Sequence, residues 1–109
     1  MDGEGTALAE IHLVQVGDED FFHGTGGGEE FVVVLPETAL AGAVRFAERM
    51  RERIEHNSFA STHGGVRMTA SIGVASYPAP GVHTVDDLFA RADEALYRAK
   101  SAGRNQVCE

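Results

Sequence analysis

The residues best placed to do chemistry in this sequence are few. Gly26, Gly27 and Gly28 run straight into Glu29 and Glu30, and the apolar block Phe31 to Leu35 that follows is closed by Pro36. Glycines, bare of Cβ, let a phosphate chain lie against backbone amides. Carboxylates are the oxygen donors that a hard divalent cation needs. At the far end of the chain, Lys100 and Arg104 flank Gly103, a spacing suited to gripping a polyphosphate, Lys as a point charge and Arg as a fork. Each feature also has a plain structural account. A tight hairpin tip with solvated acids explains the glycines and glutamates, and two cations at a helix end meet the helix dipole favourably.

Residue order narrows the choice. No Gly-Lys-Ser/Thr follows the glycines, and a strand rather than a helix comes after them, so neither a P-loop nor a dinucleotide fingerprint fits. Glu29 and Glu30 are adjacent, so on a strand they point to opposite faces. One carboxylate then meets a given ligand, and a cation needs further oxygens from elsewhere. His12, His23, His56, His63 and His83 show no metal-ligand spacing, and no Ser-His-Asp set or cysteine nucleophile is suggested.

The elements that must hold these residues follow from periodicity. "TALAEIHLVQV" (6–16) reads as a short helix and "GDEDFFHG" (17–24) as a turn into a short strand. The valine-rich "EEFVVVLP" (29–36) is apolar on both faces, which predicts a central, doubly covered strand. Over 37–57, Leu40, Ala43, Ala47, Met50 and Ile54 recur at helical spacing, with Pro36 suiting the helix entry. A loop at 58–65 leads to "VRMTASIGVASY" (66–77), whose alternation predicts a strand with one face inward. The last helix, 85–102, is announced by Thr84 and Asp87 as a capping box, and Gly103 is placed to stop it in the left-handed conformation. Its buried stripe is Leu88, Ala92, Ala95 and Ala99. "NQVCE" closes the chain as an edge strand. The fold class is α+β, with helices packed on a mostly antiparallel sheet.

Composition sets the frame. The chain of 109 residues makes one domain, with 43% hydrophobic and 24% charged residues and a net charge of −8. An acidic chain is a poor match for nucleic acid or an anionic membrane, although it admits a nucleotide that arrives with a divalent metal. No apolar run is long enough to cross a bilayer, and no leader pattern opens the chain. The single cysteine, Cys108, fits a reducing compartment, so a cytoplasmic location is expected. All nine Lys and Arg residues lie beyond Phe31, which hints that the N-terminal part is not a complete structural unit.

Three stretches, "GGEEFVVVLPET", "TASIGVASYP" and "LFARADEALYRAKSAGRNQV", together resemble the C-terminal two-thirds of a GGDEF domain, the diguanylate cyclase family. The likeness covers roughly residues 27 to 108, with the signature Gly27-Gly28-Glu29-Glu30-Phe31 in its Glu form. It divides the chain into a divergent N-terminal segment, 1–26, holding a short helix and strand, and the C-terminal part of a GGDEF domain, 27–109. The resemblance implies a palm-like fold with the signature hairpin at the active site. It implies two facing domains, each holding GTP with Mg²⁺ or Mn²⁺, that condense two GTP into cyclic di-GMP and pyrophosphate. By position, Gly27, Gly28, Lys100 and Arg104 would bind the GTP phosphates, and Glu29 and Glu30 would be catalytic and metal-binding.

The departures from the family pattern carry expectations of their own. The family's earlier strand, with its metal-binding aspartate, has no counterpart upstream of Gly27, so the domain reads as N-terminally truncated. The product-inhibition motif Arg-x-x-Asp would fall on "DEDF" (18–21) and is absent, so no inhibitory site is expected. This chain alone is therefore expected to have little or no cyclase activity. The alternative is a degenerate, non-catalytic module for nucleotide binding, dimerisation or regulation. Without a neighbour strand, "FVVVL" should expose an apolar edge that another chain pairs, giving a homodimer. A sensory domain of a parent protein is the other expected partner.

Overall fold

The computed structural model describes residues 5–16, 29–56 and 67–109. Its elements are β1 (Thr6–Val16), β2 (Glu29–Pro36), α1 (Leu40–His56), β3 (Arg67–Tyr77), α2 (Val85–Ser101) and β4 (Val107–Cys108). The four strands form one sheet in the order β2-β1-β3-β4. β1 runs antiparallel to both β2 and β3, and β4 runs parallel to β3. The predicted turn and strand at 17–24, the glycine tip and the loop at 58–65 lie outside the described residues.

The helix expected over 6–16 is a strand, and it gives β2 the upstream neighbour that the sequence was expected to lack. Its apolar residues alternate between two helices rather than lining one stripe. Ala7, Ala9 and Ile11 join a core with Ala43 and Ala47 of α1, while Leu8 joins Leu88 and Ala92 of α2. Strands on both sides complete its backbone hydrogen bonds, so tertiary pairing overrides a weak local preference. β2 departs from expectation too. It is the sheet's edge among the described strands, with Phe31 46%, Val32 48% and Val34 54% exposed. A continuous apolar run reports two apolar faces, not a place in the strand order. β3, predicted to have one face inward, is buried on both: Ala70, Ser71, Ile72, Val74 and Ala75 are all buried.

The helices match their periodicity. α1 lays Ala43 and Ala47 on one sheet face, flanked by Leu40, Val44, Met50 and Ile54. α2 buries Leu88, Ala92, Ala95, Leu96 and Ala99 on the other. Ile72 and Leu96 are among the largest fully buried side chains, each contributing about 2 kcal/mol by leaving water. α2 lies against β3 at Gly73, where a Cβ would collide with backbone atoms of Leu96 and Ala92. Glycine is required there because helix and strand backbones touch.

The capping box forms as predicted. Asp87 N donates to Thr84 Oγ1 at 3.0 Å, and Asp87 Oδ2 accepts from His83 N at 2.8 Å and Thr84 N at 3.1 Å. The His83 amide foremost holds the Asp87 carboxyl below the usual range. At the other end, Gly103 takes φ 123° directly after the cap residue Ala102. α2 is thus fixed at both ends, with Lys100 in its last turn.

Candidate functional site

The first two residues of β2 sit at one corner of the sheet. Register pairs Glu30 with His12 and Glu29 with Leu13 across β1. Val33 and Leu35 pack into the core beneath α1, so alternation puts Glu29 and Phe31 on that face. Glu30, Val32 and Val34 share the opposite face, the one α2 covers. There Lys100 Nζ lies 3.2 Å from Glu30 Oε2, in a half-exposed ion pair joining residues 70 positions apart.

Two further carboxyls join this face. Glu10 alternates with Leu8, so it points toward α2, opposite Gly73 of β3. Asp93 hydrogen-bonds to it from α2, seven residues before Lys100 and therefore two turns away on the same helical face. Burial is the largest cause that pushes the Glu10 carboxyl up, from 4.5 to about 7. The Asp93 hydrogen bond and the charges of Asp93 and Glu30 add to it, while Lys100 opposes. The result is a ladder between sheet and helix: Asp93 to Glu10, and Lys100 to Glu30.

Sequence reasoning missed Glu10 and Asp93. A glutamate midway along an apolar alternation was the available signal, hidden once that stretch was read as a helix.

Arg104 lies four residues past Lys100, exposed, at φ 66°, with its amide donating to Ala99 O at 2.9 Å. The next residue, Asn105, also left-handed at φ 53°, ties this turn down. Its Oδ1 accepts from Arg51 Nη1 at 3.0 Å and its Nδ2 donates to Glu55 Oε2 at 3.1 Å, both on α1. Its backbone N–H donates to the buried Ser71 Oγ of β3 at 3.1 Å.

Of the site residues expected from sequence, Glu30 and Lys100 meet directly. Arg104 follows on the same helix end, and Glu29 occupies the opposite sheet face. Gly27 and Gly28 lie outside the described residues. Among the described residues no three His, Cys, Asp or Glu side chains converge as a cation site. With Glu29 turned away and Glu30 engaged by Lys100, the described residues do not by themselves fit a divalent ion, which takes about six oxygens. A cavity of about 420 Å³, lined by Thr6, Tyr77, His83, Thr84, Val85 and Leu88, lies at the other end of the sheet and contains none of these groups.

No helix among the described residues is long and apolar enough to cross a membrane.

The comparisons with known proteins agree with one another. The family described as "Diguanylate cyclase, GGDEF domain" matches residues 12–106. Response regulator PleD of Caulobacter vibrioides is 48% identical over 83 residues, which is 74% of this chain and 18% of PleD. The chain thus spans less than a fifth of that relative's length. Among solved structures, the GGDEF domain of FimX from Pseudomonas aeruginosa superposes with a TM-score of 0.78 at 19% identity, over 97% of this chain and 81% of that one. The GGDEF domain of DgcB from Caulobacter crescentus, solved in complex with c-di-GMP, gives 0.72 at 22% identity, over 95% and 75%. By family match and by fold, an open α+β sheet bearing two helices, the chain belongs to the GGDEF family of diguanylate cyclase domains.

Proposed function

We propose that this chain is a diguanylate cyclase-type module that binds GTP through its phosphates and by itself condenses little of it to cyclic di-GMP. The observation that carries this reading is the 3.2 Å ion pair between Lys100 and Glu30. It brings the signature strand and the last turn of α2 to one place, where a terminal phosphate can replace Glu30 as the partner of Lys100. Arg104, four residues on, supplies a fork donor suited to phosphate oxygens. Gly27 and Gly28 would let the phosphate chain approach the backbone, and Glu29 and Glu30 would be the carboxylates of the reacting centre.

In the family reaction each 3′-oxygen bonds to the α-phosphorus of the opposite GTP. The bridging α–β bond breaks, pyrophosphate leaves, and the hydroxyl proton passes to a base. Mg²⁺ or Mn²⁺, when bound, supplies charge neutralisation at the triphosphate. Low activity is supported by how this chain spends its carboxylates: Glu30 is held by Lys100, Glu29 is on the other face, and burial pushes the Glu10 carboxyl up to about 7. A site short of oxygen ligands loses orders of magnitude in rate.

The test has two readouts on the purified chain. Incubation with GTP and Mg²⁺ or Mn²⁺, followed by chromatography, should yield no appreciable cyclic di-GMP, and steady production would overturn the low-activity reading. Titration with a fluorescent GTP analogue should show binding that Lys100→Ala weakens about tenfold, the loss of one charge-assisted contact. Absent binding, or binding indifferent to Lys100→Ala, would overturn the phosphate site.

A further inference from the structure

The turn after α2 keeps its shape against a backbone cost. Arg104 and Asn105 are consecutive residues with side chains, and both are left-handed, at φ 66° and 53°. A residue with a Cβ enters that region unfavourably, so other contacts must hold the turn there. Part of the hold is local: Arg104 N donates to Ala99 O at 2.9 Å, and Gln106 Nε2 donates to Arg104 O at 3.2 Å. The rest reaches across from α1.

Arg51 of α1 supplies it. Its side chain is only 16% exposed and lies among three glutamates of its own helix. Nε is 3.0 Å from Glu48 Oε1, Nη1 3.3 Å from Glu55 Oε1, and Nη2 3.8 Å from Glu52 Oε2. Those carboxylates fix the plane of the guanidinium. Among the described residues, the bond of Arg51 that leaves α1 runs from Nη1 to Asn105 Oδ1 at 3.0 Å, across 54 positions of chain. Asn105 Nδ2 returns a bond to Glu55 Oε2 at 3.1 Å, so residues one helical turn apart grip the amide from both sides.

We propose that Arg51 is a positioning residue for phosphate binding: through the Asn105 amide it fixes the left-handed turn from which Arg104 reaches the nucleotide. The proposal rests on the phosphate site proposed above. Two features favour it over simple cross-bracing of α1 and the sheet. Lys100 stands within regular helix, so the backbone of α2 already directs it, whereas Arg104 lies beyond the helix end and is directed by the turn alone. A guanidinium binds as a planar fork and depends on its orientation, while an ammonium acts as a point charge and depends on it far less. The latch thus adjoins the cation of the two whose aim matters.

The coupling is read on the full 109-residue chain with the fluorescent GTP analogue. Arg51→Met keeps a long stem and good helix preference but removes the latch. Asn105→Gly removes it from the other end and suits the left-handed backbone. Each should weaken binding about fivefold, short of the roughly tenfold expected for Arg104→Ala. In an Arg104→Ala background the same changes should cost less than about twofold, because no fork is left to aim. In a Lys100→Ala background the loss of about fivefold should remain.

Circular dichroism verifies that each variant folds, and a general loosening would act alike in every background. Losses as large with Arg104→Ala as without it overturn the proposal, as do folded latch variants that bind like wild type. Binding that is absent, or indifferent to Lys100→Ala, removes the phosphate site itself and the proposal with it. Amide hydrogen exchange needs no nucleotide and separates the two failures. Arg104 and Asn105 should exchange several-fold faster in Arg51→Met, with the α2 amides before Ala99 unchanged. Unchanged exchange at both residues overturns the latch.

Discussion

Glu10→Gln gives the sharpest test of the helix-side ladder. In the folded chain the Glu10 carboxyl titrates near 7, and in the unfolded chain near 4.5. Between those values the native state holds a proton that the unfolded state has released, so stability falls as pH rises through the window. The contribution is fully present below about 4.5 and lost above about 7. Taken whole, the shift corresponds to about 3 kcal/mol. Because water still reaches this carboxyl, screening reduces the linked change to about 1 kcal/mol. The Gln variant keeps a hydrogen-bonding group toward Asp93 but has no proton to lose. Its stability between pH 5 and pH 8 should fall less than that of wild type, by about 1 kcal/mol. Urea midpoints at pH 5, 6, 7 and 8, converted with a common m-value, measure both curves. Two parallel curves would show that Glu10 ionises as it does in water, and the sheet-to-helix ladder would lose its electrostatic meaning.

Substitutions at two further positions probe what holds the cationic end of α2. Gly73→Ala drives a methyl into the Leu96 and Ala92 backbone. The chain should lose about 2–3 kcal/mol by urea denaturation, because a helix backbone yields less readily than a side chain; an unchanged midpoint would contradict the close contact. Asn105→Ala removes the bonds to Arg51 and Glu55 and leaves a Cβ-bearing residue with no compensating side chain at φ 53°. About 2–3 kcal/mol should be lost, and Asn105→Gly, which relaxes the backbone, should recover about 1 kcal/mol. Equal losses in both variants would assign the whole effect to the side-chain bonds.

Much of this chain is legible locally. The spacing of Leu40, Ala43, Ala47, Met50 and Ile54 marks α1. Thr84, Asp87 and Gly103 mark both ends of α2, because caps and helical stripes are read over three or four residues. Val107 and Cys108 form the expected edge strand. The family signature and the cations Lys100 and Arg104 were visible as motifs, and the alternation rule placed Glu29 and Glu30 on opposite faces before any fold was known.

Strand order was not legible, because hydrogen bonding between strands links residues far apart in the chain, and an apolar run looks alike at the edge and in the centre. For that reason "TALAEIHLVQV" resembled a helix until β2 and β3 flanked it, and "FVVVL" resembled a buried strand until both helices settled elsewhere. The joining of Glu10 to Asp93 and Glu30 to Lys100 is of the same kind. Residue types and local periodicity determined the helices and the candidate chemistry. Only the packing of α2 across Gly73 decided which carboxyls meet which partners, since charges so distant in sequence interact only once a folded core holds them together.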